Sequence, residues 1–581
     1  MSFQALHVAA TSLRAQQKAM DITSHNIANV NTDGYSRQIA SIVTASPDSI
    51  GTLDFGRGVN LNNIQRVVDP LIKTAQRENA SQFEFWDTVA SGLQTVESTF
   101  GSLESTGLAA SVDDFFLSWQ QLANNPQDIA QKYNVRTKSE ALTTQLNRMQ
   151  EQLGNAQQSL NGDIDQQIAV VNLQLDKISA LTQQIKVHEA GQQAIVGTAN
   201  DLRDQRDEEV RKLAKIIPLQ EVVTNDGHLL LQTKGGDLLT QDGMVRHLAR
   251  STSTGSNGFQ SIVTAGSNNP VQGLDEGGSL GGLLSLRDER MQGYMTSLDS
   301  FAANLAFATN QIHGSAGGGA KTSTVQSALG ATNPALALND TTQGVAFAAQ
   351  VQAGSFNIHV YDDAGLPQVP TSQFTVTLAA GASMNDVATA INDPILGVTG
   401  VNATVDAAGR LNLDAGTNTI AFADDTSNFL AAYEVQAFFH GSTAGNLELN
   451  QSIKADVNRI QTGRIDPATS LIQAGENTAA IDIMGLQDFS FSFDGSAPLS
   501  LHERISVLSQ RYGLDVEVAE QQKLYRSSEA SSLAQQREAI SGVNIDEELI
   551  AMLKFQRAYE ASAKVITTSN QMMDALMGMM R

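Results

Sequence analysis

Two His-Glu pairs are the residues whose types come nearest to doing chemistry. Zinc hydrolysis needs two histidines one helical turn apart with a glutamate between them, so that both ligands share a helix face. His188-Glu189 and His502-Glu503 begin that pattern, but the closing positions hold Gln192 and Ser506. The run Gly314 to Thr322 resembles a phosphate loop, yet Ala320 separates Gly319 from Lys321 and no apolar strand precedes it. Asn29, Asn31 and Asp33 alternate before Gly34 as in a calcium loop, but the twelfth position is Ala40, where a bidentate Glu belongs. No Gly-x-Ser-x-Gly elbow occurs, and the absence of cysteine removes thiol chemistry. The sequence therefore predicts no catalytic residue, no metal ligand and no cofactor, and the chain reads as non-enzymatic.

Composition narrows the classes further. The 581 residues suffice for several domains, and the net charge is −24. Such a chain lacks the basic surface that neutralises phosphates and is repelled by anionic lipid, so neither nucleic acid nor membrane insertion is expected. No apolar run is long enough to span a bilayer. Arg14, Gln16, Gln17 and Lys18 interrupt any apolar core of a signal peptide. Residence in the cytosol fits that, and so does export by a route that reads no cleaved leader.

With no reactive constellation to position, the informative elements are the two ends. From Ser541 to Arg581, Leu549, Met552, Gln556, Tyr559, Ala563, Ile566, Asn570, Met573, Met577 and Met580 recur at alternating spacings of three and four. That is a mostly apolar heptad seam. Phe3, Leu6, Ala10, Leu13, Gln17, Met20, Ser24 and Ile27 form a matching seam at the other end. Isolated helices of this length are marginal in water, so each seam needs a partner, and the other terminus is the nearest candidate. Gln17, Ser24, Gln556 and Asn570 either fix register or mark partial exposure. Met572, Met573, Met577, Met579 and Met580 form a soft apolar edge, either coil core or also a transient docking site. The first helix is expected to stop in a turn motif containing Asn26, Asn29, Asn31, Gly34 and Tyr35, because Asn, Asp and Gly tolerate left-handed backbone.

The pattern along the chain predicts an α+β multidomain fold: a terminal coiled coil, a discontinuous long-helix bundle and a β-rich insertion. Residues 1–68, a helix and extended segment, should pair with the helix 541–581. The helical body should occupy 69–217, 275–315 and 499–540, with apolar rows such as Trp86, Val89, Leu93, Val96 and Phe100, or Ile164, Ile168, Val171, Leu175, Ile178 and Ile185, packing on one another. A small β-hairpin region is expected over 218–274, a flexible break at Gly314 to Gly319, a β-rich outer domain over 316–428 and a mixed return over 429–498. Period-two alternation at Phe356, Ile358 and Val360, then at Phe374, Val376 and Leu378, marks the strands.

Both ends resemble the rod, hook and hook-associated family of bacterial flagellar axial proteins. The residues are Ser24-His-Asn-Ile-Ala-Asn-Val-Asn-Thr-Asp-Gly-Tyr35, and Ser541-Gly-Val-Asn-Ile-Asp-Glu-Glu548 continuing through Lys554-Phe-Gln-Arg-Ala-Tyr559 to Ala563-Lys-Val-Ile566. Tyr35-Ser-Arg-Gln38, Gly281-Gly-Leu-Leu-Ser-Leu-Arg287 with Asn310-Gln-Ile-His313, and Phe438-Phe-His-Gly-Ser442 favour the hook-associated branch. The resemblance implies a structural adaptor at the hook–filament junction that polymerises through paired terminal helices. It implies self-assembly, contact with the hook protein and a second junction protein (hook-associated protein 3), and an export chaperone on the C-terminal helix. It also implies an extracellular place in the flagellum, reached without a cleaved signal peptide. The alternatives are a hook or distal-rod subunit, or a non-flagellar helical adhesin or binding protein.

Overall fold

A computed structural model describes residues 2–50, 53–101, 107–190, 199–223, 229–255, 257–369 and 371–579. In chain order the helices are α1 (Ser2–Ala28), α2 (Pro70–Gly101), α3 (Leu108–Asn124), α4 (Ile129–Ala190), α5 (Asn200–Ile216), α6 (Gly278–Leu284), α7 (Gln292–Gly314), α8 (Met384–Asn392), α9 (Phe429–Ala432), α10 (Gln451–Ala455), α11 (Thr478–Gly485), α12 (Leu501–Ser541) and α13 (Ile545–Met579). The strands are β1 (Gln38–Thr44), β2 (Asp48–Ile50), β3 (Leu53–Phe55), β4 (Val59–Arg66), β5 (Leu219–Val223), β6 (Leu229–Thr233), β7 (Leu238–Gln241), β8 (Met244–Val245), β9 (Leu248–Thr254), β10 (Gln260–Thr264), β11 (Thr324–Gln326), β12 (Gly354–Tyr361), β13 (Gln373–Leu378), β14 (Asn402–Val405), β15 (Leu411–Asp414), β16 (Thr419–Ala423), β17 (Phe439–His440) and β18 (Glu448–Leu449). This is the α+β multidomain class the pattern predicts. Two compact units result: residues 1–92, 159–288 and 517–581, and residues 93–158 and 289–516.

In the first unit α13 packs along α1, and β1 pairs with β4 in an antiparallel ribbon bulged at Ser41/Ile42. Pro218 separates α5 from β5, as its missing N–H requires. Ile164, Ile168, Val171, Leu175 and Ile178 of α4 are buried, but not against another long helix alone. They meet Val210 and Leu213 of α5 together with Leu229, Leu231 and Leu239 of the antiparallel sheet β5–β6–β7–β8. The alternating leucines of β6 give that sheet one flat apolar face, which fits a helical row as well as a second helix would.

The second unit is built on the antiparallel sheets β13–β12–β16 and β11–β15–β14. Period-two reading exposes every second residue of β12, yet Phe356 through Tyr361 are all buried. The reason is a second cover: Ile465 and Ile472 close over Tyr361, Ala421 and Ala423 on the face opposite the main core. α8 breaks the β pattern and starts at a capping box, with Ser383 and Asp386 each bonding the other's backbone N–H. The helical pattern near Phe429 amounts only to the four-residue α9. The glycines after α7 are not the expected loose break. Gly317 bridges to Gly463, and a Cβ there would lie 2.6 Å from Ile472. Glycine is needed for close approach rather than for slack.

One device recurs in both units. A helical asparagine bonds the N–H and the C=O of a single residue on a distant segment, as a neighbouring strand residue would. Asn26 of α1 grips Gln38 at 3.0 and 2.9 Å, and Asn172 of α4 grips Leu248 at 2.8 and 2.9 Å. Asn310 of α7 grips Phe439 at 2.9 and 2.9 Å, and Asn392 of α8 grips Ala403 at 2.8 and 2.7 Å. An amide has both a donor and an acceptor, so it can satisfy a strand edge that no strand reaches.

Candidate assembly site

The turn after α1 is a densely bonded polar site of the first unit. Asn26 is buried and uses its whole amide. Oδ1 accepts from the Gln38 N–H at 3.0 Å and the Tyr35 hydroxyl at 2.7 Å; Nδ2 donates to the Gln38 carbonyl at 2.9 Å and to Glu548 Oε2 at 3.0 Å. Glu548, only 3% exposed, also takes Arg37 Nε at 2.7 Å. The Arg37 N–H reaches the Ser541 carbonyl at 3.2 Å, and Arg537 reaches the Tyr35 carbonyl at 3.3 Å. Thus the start of α13 and the end of α12 are tied to the turn that follows α1. A buried charge stripped of such partners would cost several kcal/mol, so the ties are mutually required.

α5 braces the same turn. Ser36 donates its N–H to Asp204 at 3.1 Å, and Gln38 Nε2 reaches Asp201 at 2.9 Å. Arg66 bonds Asp204 at 2.7 Å and Asp207 at 3.0 Å, and Lys73 bonds Asp207 at 2.8 Å. Burial raises Asp204 above the usual carboxylate range. Burial would raise Asp207 too, but Lys73 and Arg66 outweigh it and hold that group below its range. Burial raises the Tyr35 phenol, helped by Asp201, Asp204 and Glu548, so it stays a donor. A cleft of about 460 Å³ lies beside this network, lined by Ser36, Lys73, Arg77, Asp204, Asp207 and Arg537 among others. Its cations face carboxylates, and the arrangement holds segments together rather than poising a nucleophile against a base. Among the described residues no group of three or more His, Asp or Glu could hold a metal ion.

The remaining turn residues act locally. Asn29 Nδ2 donates to the His25 carbonyl at 3.0 Å while its Oδ1 accepts from Thr32 at 3.1 Å. Gly34 has φ +82°, a conformation that side chains rarely adopt, whereas Asn31 is exposed. Tyr35 meets His25 edge-on with centroids 5.6 Å apart.

The buried row of α1 lies one or two residues before the predicted seam. Ala9, Ala15, Ala19, Ile22 and Asn26 are buried, while Leu6, Ala10, Leu13, Met20 and Ile27 are half-buried. On α13, Met552, Ala563, Ile566 and Met573 are half-buried, and Leu549, Tyr559 and Met577 are exposed. The side chain of Phe3 and residue Met580 lie outside the described residues. Small residues explain the offset: Ser12 Oγ stands 2.8 Å from Ser562 Oγ, so the helices touch where side chains are short and larger ones flank the contact. Sequence reasoning weighted size and missed this row of Ala and Ser.

It also missed a second row. Ile550, Leu553, Val565, Met572 and Met579 lie away from the half-buried side of α13, the last three at heptad spacing, and their exposure runs from 47% to 85%. A helix apolar on opposite sides is built to be enclosed.

The internal motifs likewise prove to be partners. Asn310 Oδ1 accepts from the N–H groups of Phe438 at 2.8 Å and Phe439 at 2.9 Å. His313 contacts the Gln436 carbonyl at 3.0 Å and accepts from the Gln461 N–H at 3.1 Å. Arg287, 2% exposed, bonds Asp288 at 2.8 Å and Asn161 at 2.7 Å.

Comparison with known proteins finds matches along the chain. Residues 93–322 match the model of the flagellar hook-associated protein FlgK helical domain. Residues 6–35 match the flagella basal body rod protein family, and 534–579 the flagellar basal body rod FlgEFG protein C-terminal region. Residues 355–417 match the flagellin hook IN motif. The chain is 25% identical to flagellar hook-associated protein 1 of Salmonella typhimurium over 98% of both chains, and 25% identical to that of Escherichia coli over 98% of both. It is 28% identical to the Bacillus subtilis protein of that name over 40% of this chain and 47% of that one. Among solved structures, the flagellar hook junction protein FlgK from Burkholderia pseudomallei matches with TM-score 0.48 and 15% identity, covering 81% of this chain and 100% of that one.

Proposed function

We infer the role of this chain from the family it belongs to, that of flagellar hook-associated protein 1. It is a structural subunit of the bacterial flagellum, an adaptor at the hook–filament junction. The outward row of α13 supports polymerisation through the ends. Fully burying each such side chain contributes roughly 1.5–3 kcal/mol, so five of them on a neighbouring copy supply a strong contact that a lone chain leaves unused. The partners are further copies of itself, the hook protein and the second junction protein. Before assembly the methionine edge of α13 suits an export chaperone, and the chain takes its place outside the cell. Its work is mechanical rather than catalytic.

Electron microscopy of a deletion strain tests this: hooks without filaments are expected, and normal filaments would refute the adaptor role. Truncation after Ser569 is expected to weaken chaperone capture, and undiminished capture would remove the chaperone site.

A further inference from the structure

All the sulfur of this chain is thioether: 14 methionines and no cysteine. A thioether is oxidised to a sulfoxide, and with no thiol to compete, exposure decides which ones react. Met149, Met291 and Met384 are fully buried. Met20, Met295, Met484, Met552 and Met573 are half-buried. Among the described residues the exposed ones are Met244 of β8 and Met572, Met577 and Met579 of α13, at 58% to 85%.

The register of the terminal helices explains why they gather on α13. Asn26 meets Glu548 and Ser12 meets Ser562, so 14 residues back along α1 correspond to 14 forward along α13, and the helices run antiparallel. Carried on, that register sets Ser2, where α1 begins, level with Met572. The last turns of α13 therefore run past the end of their partner. A Cβ on Gly578 would meet nothing within 4 Å. Met577 falls on the same side of the helix as the half-buried Ile566 and Met573, yet it is exposed, because α1 no longer reaches it. Met572 and Met579 face the other way, at heptad spacing from Val565 on the outward row.

We propose that Met572, Met577 and Met579 form an oxidative modification site, at which peroxide produces sulfoxides that stop the chain from polymerising. The inference rests on the polymerisation through α13 proposed above. In each step the sulfur lone pair attacks one oxygen of hydrogen peroxide and the O–O bond breaks. The other oxygen leaves as hydroxide, takes the proton of the first and departs as water. Sulfur is oxidised by two electrons, peroxide is reduced by two, and nothing else is consumed. The product is polar and chiral where the thioether was apolar and flexible. Two of the five side chains of the outward row then carry an oxygen that burial against a neighbouring copy leaves without a partner. The free chain loses little, because these positions are already exposed.

The test uses the full chain, treated with dilute hydrogen peroxide that is then removed. Peptide mass spectrometry is expected to find sulfoxide at Met572, Met577, Met579 and Met244 first, with Met149, Met291 and Met384 spared. By sedimentation, the concentration at which polymer appears is expected to rise about tenfold or more. Methionine sulfoxide reductases for both epimers are expected to restore it. A chain carrying Met572→Leu, Met577→Leu and Met579→Leu keeps the apolar volume without the sulfur and should polymerise alike before and after peroxide. Native chain oxidised at the three positions that polymerises as before overturns the site and leaves polymerisation intact. Loss of polymer by the treated leucine variant also overturns it, since the damage then lies elsewhere, and so does polymer that the reductases do not restore. If the untreated native chain forms no polymer, polymerisation through α13 is itself overturned.

Discussion

β12 and α13 are opposite solutions to the same problem of burying a segment. Six successive residues of β12 are buried on both faces, including Phe356, Ile358 and Val360. In α13, with 35 residues against eight, the buried side chains among the described residues are Glu548 and Ser569, both polar. β12 is finished within its own chain. α13 is held at its start by a charge, along its length by small residues, and leaves many of its large apolar groups outside. The difference separates stability that a monomer owns from stability that only an assembly can supply.

The largest effect expected is in β12. Phe356→Ala should cost about 3–5 kcal/mol by emptying a packed core, read as a fall in the melting temperature of the free chain. A small change would mean that the sheet is less complete than described. Next is Glu548→Ala, which removes the buried carboxylate from Arg37 and Asn26 and leaves Arg37 with Glu547 at 3.4 Å; losing the two charge-assisted bonds should cost about 3 kcal/mol. Amide hydrogen exchange should rise over residues 549–573 while α4 stays protected; unchanged exchange would show that the small-residue contact suffices without the ion pair.

Acid sharpens the comparison from another side. His313 and His359 in the second unit are held by burial at about 4, below the usual 6.5. Between those values the unfolded chain binds more protons than the folded one, so stability rises with pH through the window. On acidification to pH 4 each costs about 3 kcal/mol. Denaturant midpoints across that range should fall, and His359→Gln should flatten the slope. The smallest effect on the monomer is expected outside: Ile550→Ser with Leu553→Ser should shift its stability by no more than about 0.5 kcal/mol while blocking polymerisation, measured by sedimentation. A large loss of monomer stability would mean that this row already has a partner within the chain.

Much of the fold was legible because its elements follow strong periods. The row of α4 from Ile164 to Ile185 and the alternating Phe356, Ile358 and Val360 were readable from their spacing, and Pro218 gave a boundary. What stayed hidden depends on distant segments meeting. The second cover over Tyr361 comes from Ile465 and Ile472, more than a hundred residues away, and nothing local announces it. Gly317 reads as a hinge until Gly463 is placed beside it. The box formed by Ser383 and Asp386 did carry a local signal, Ser-x-x-Asp before an apolar row, which the β alternation on either side masked. At the assembly site the turn residues stood out by type, but the tie from Asn26 to Glu548 spans nearly the whole chain and leaves no local trace.

The four gripping asparagines bear on how the molecule ages. An asparagine that loses ammonia becomes an acid, trading a donor for a negative charge, and the reaction runs fastest where glycine follows. Asn26, Asn172, Asn310 and Asn392 are followed by Ile27, Leu173, Gln311 and Asp393, while the Asn-Gly pairs of the chain at Asn161 and Asn257 lie elsewhere. The grips are thus set in the slower chemical context, which suits a part that must last without replacement.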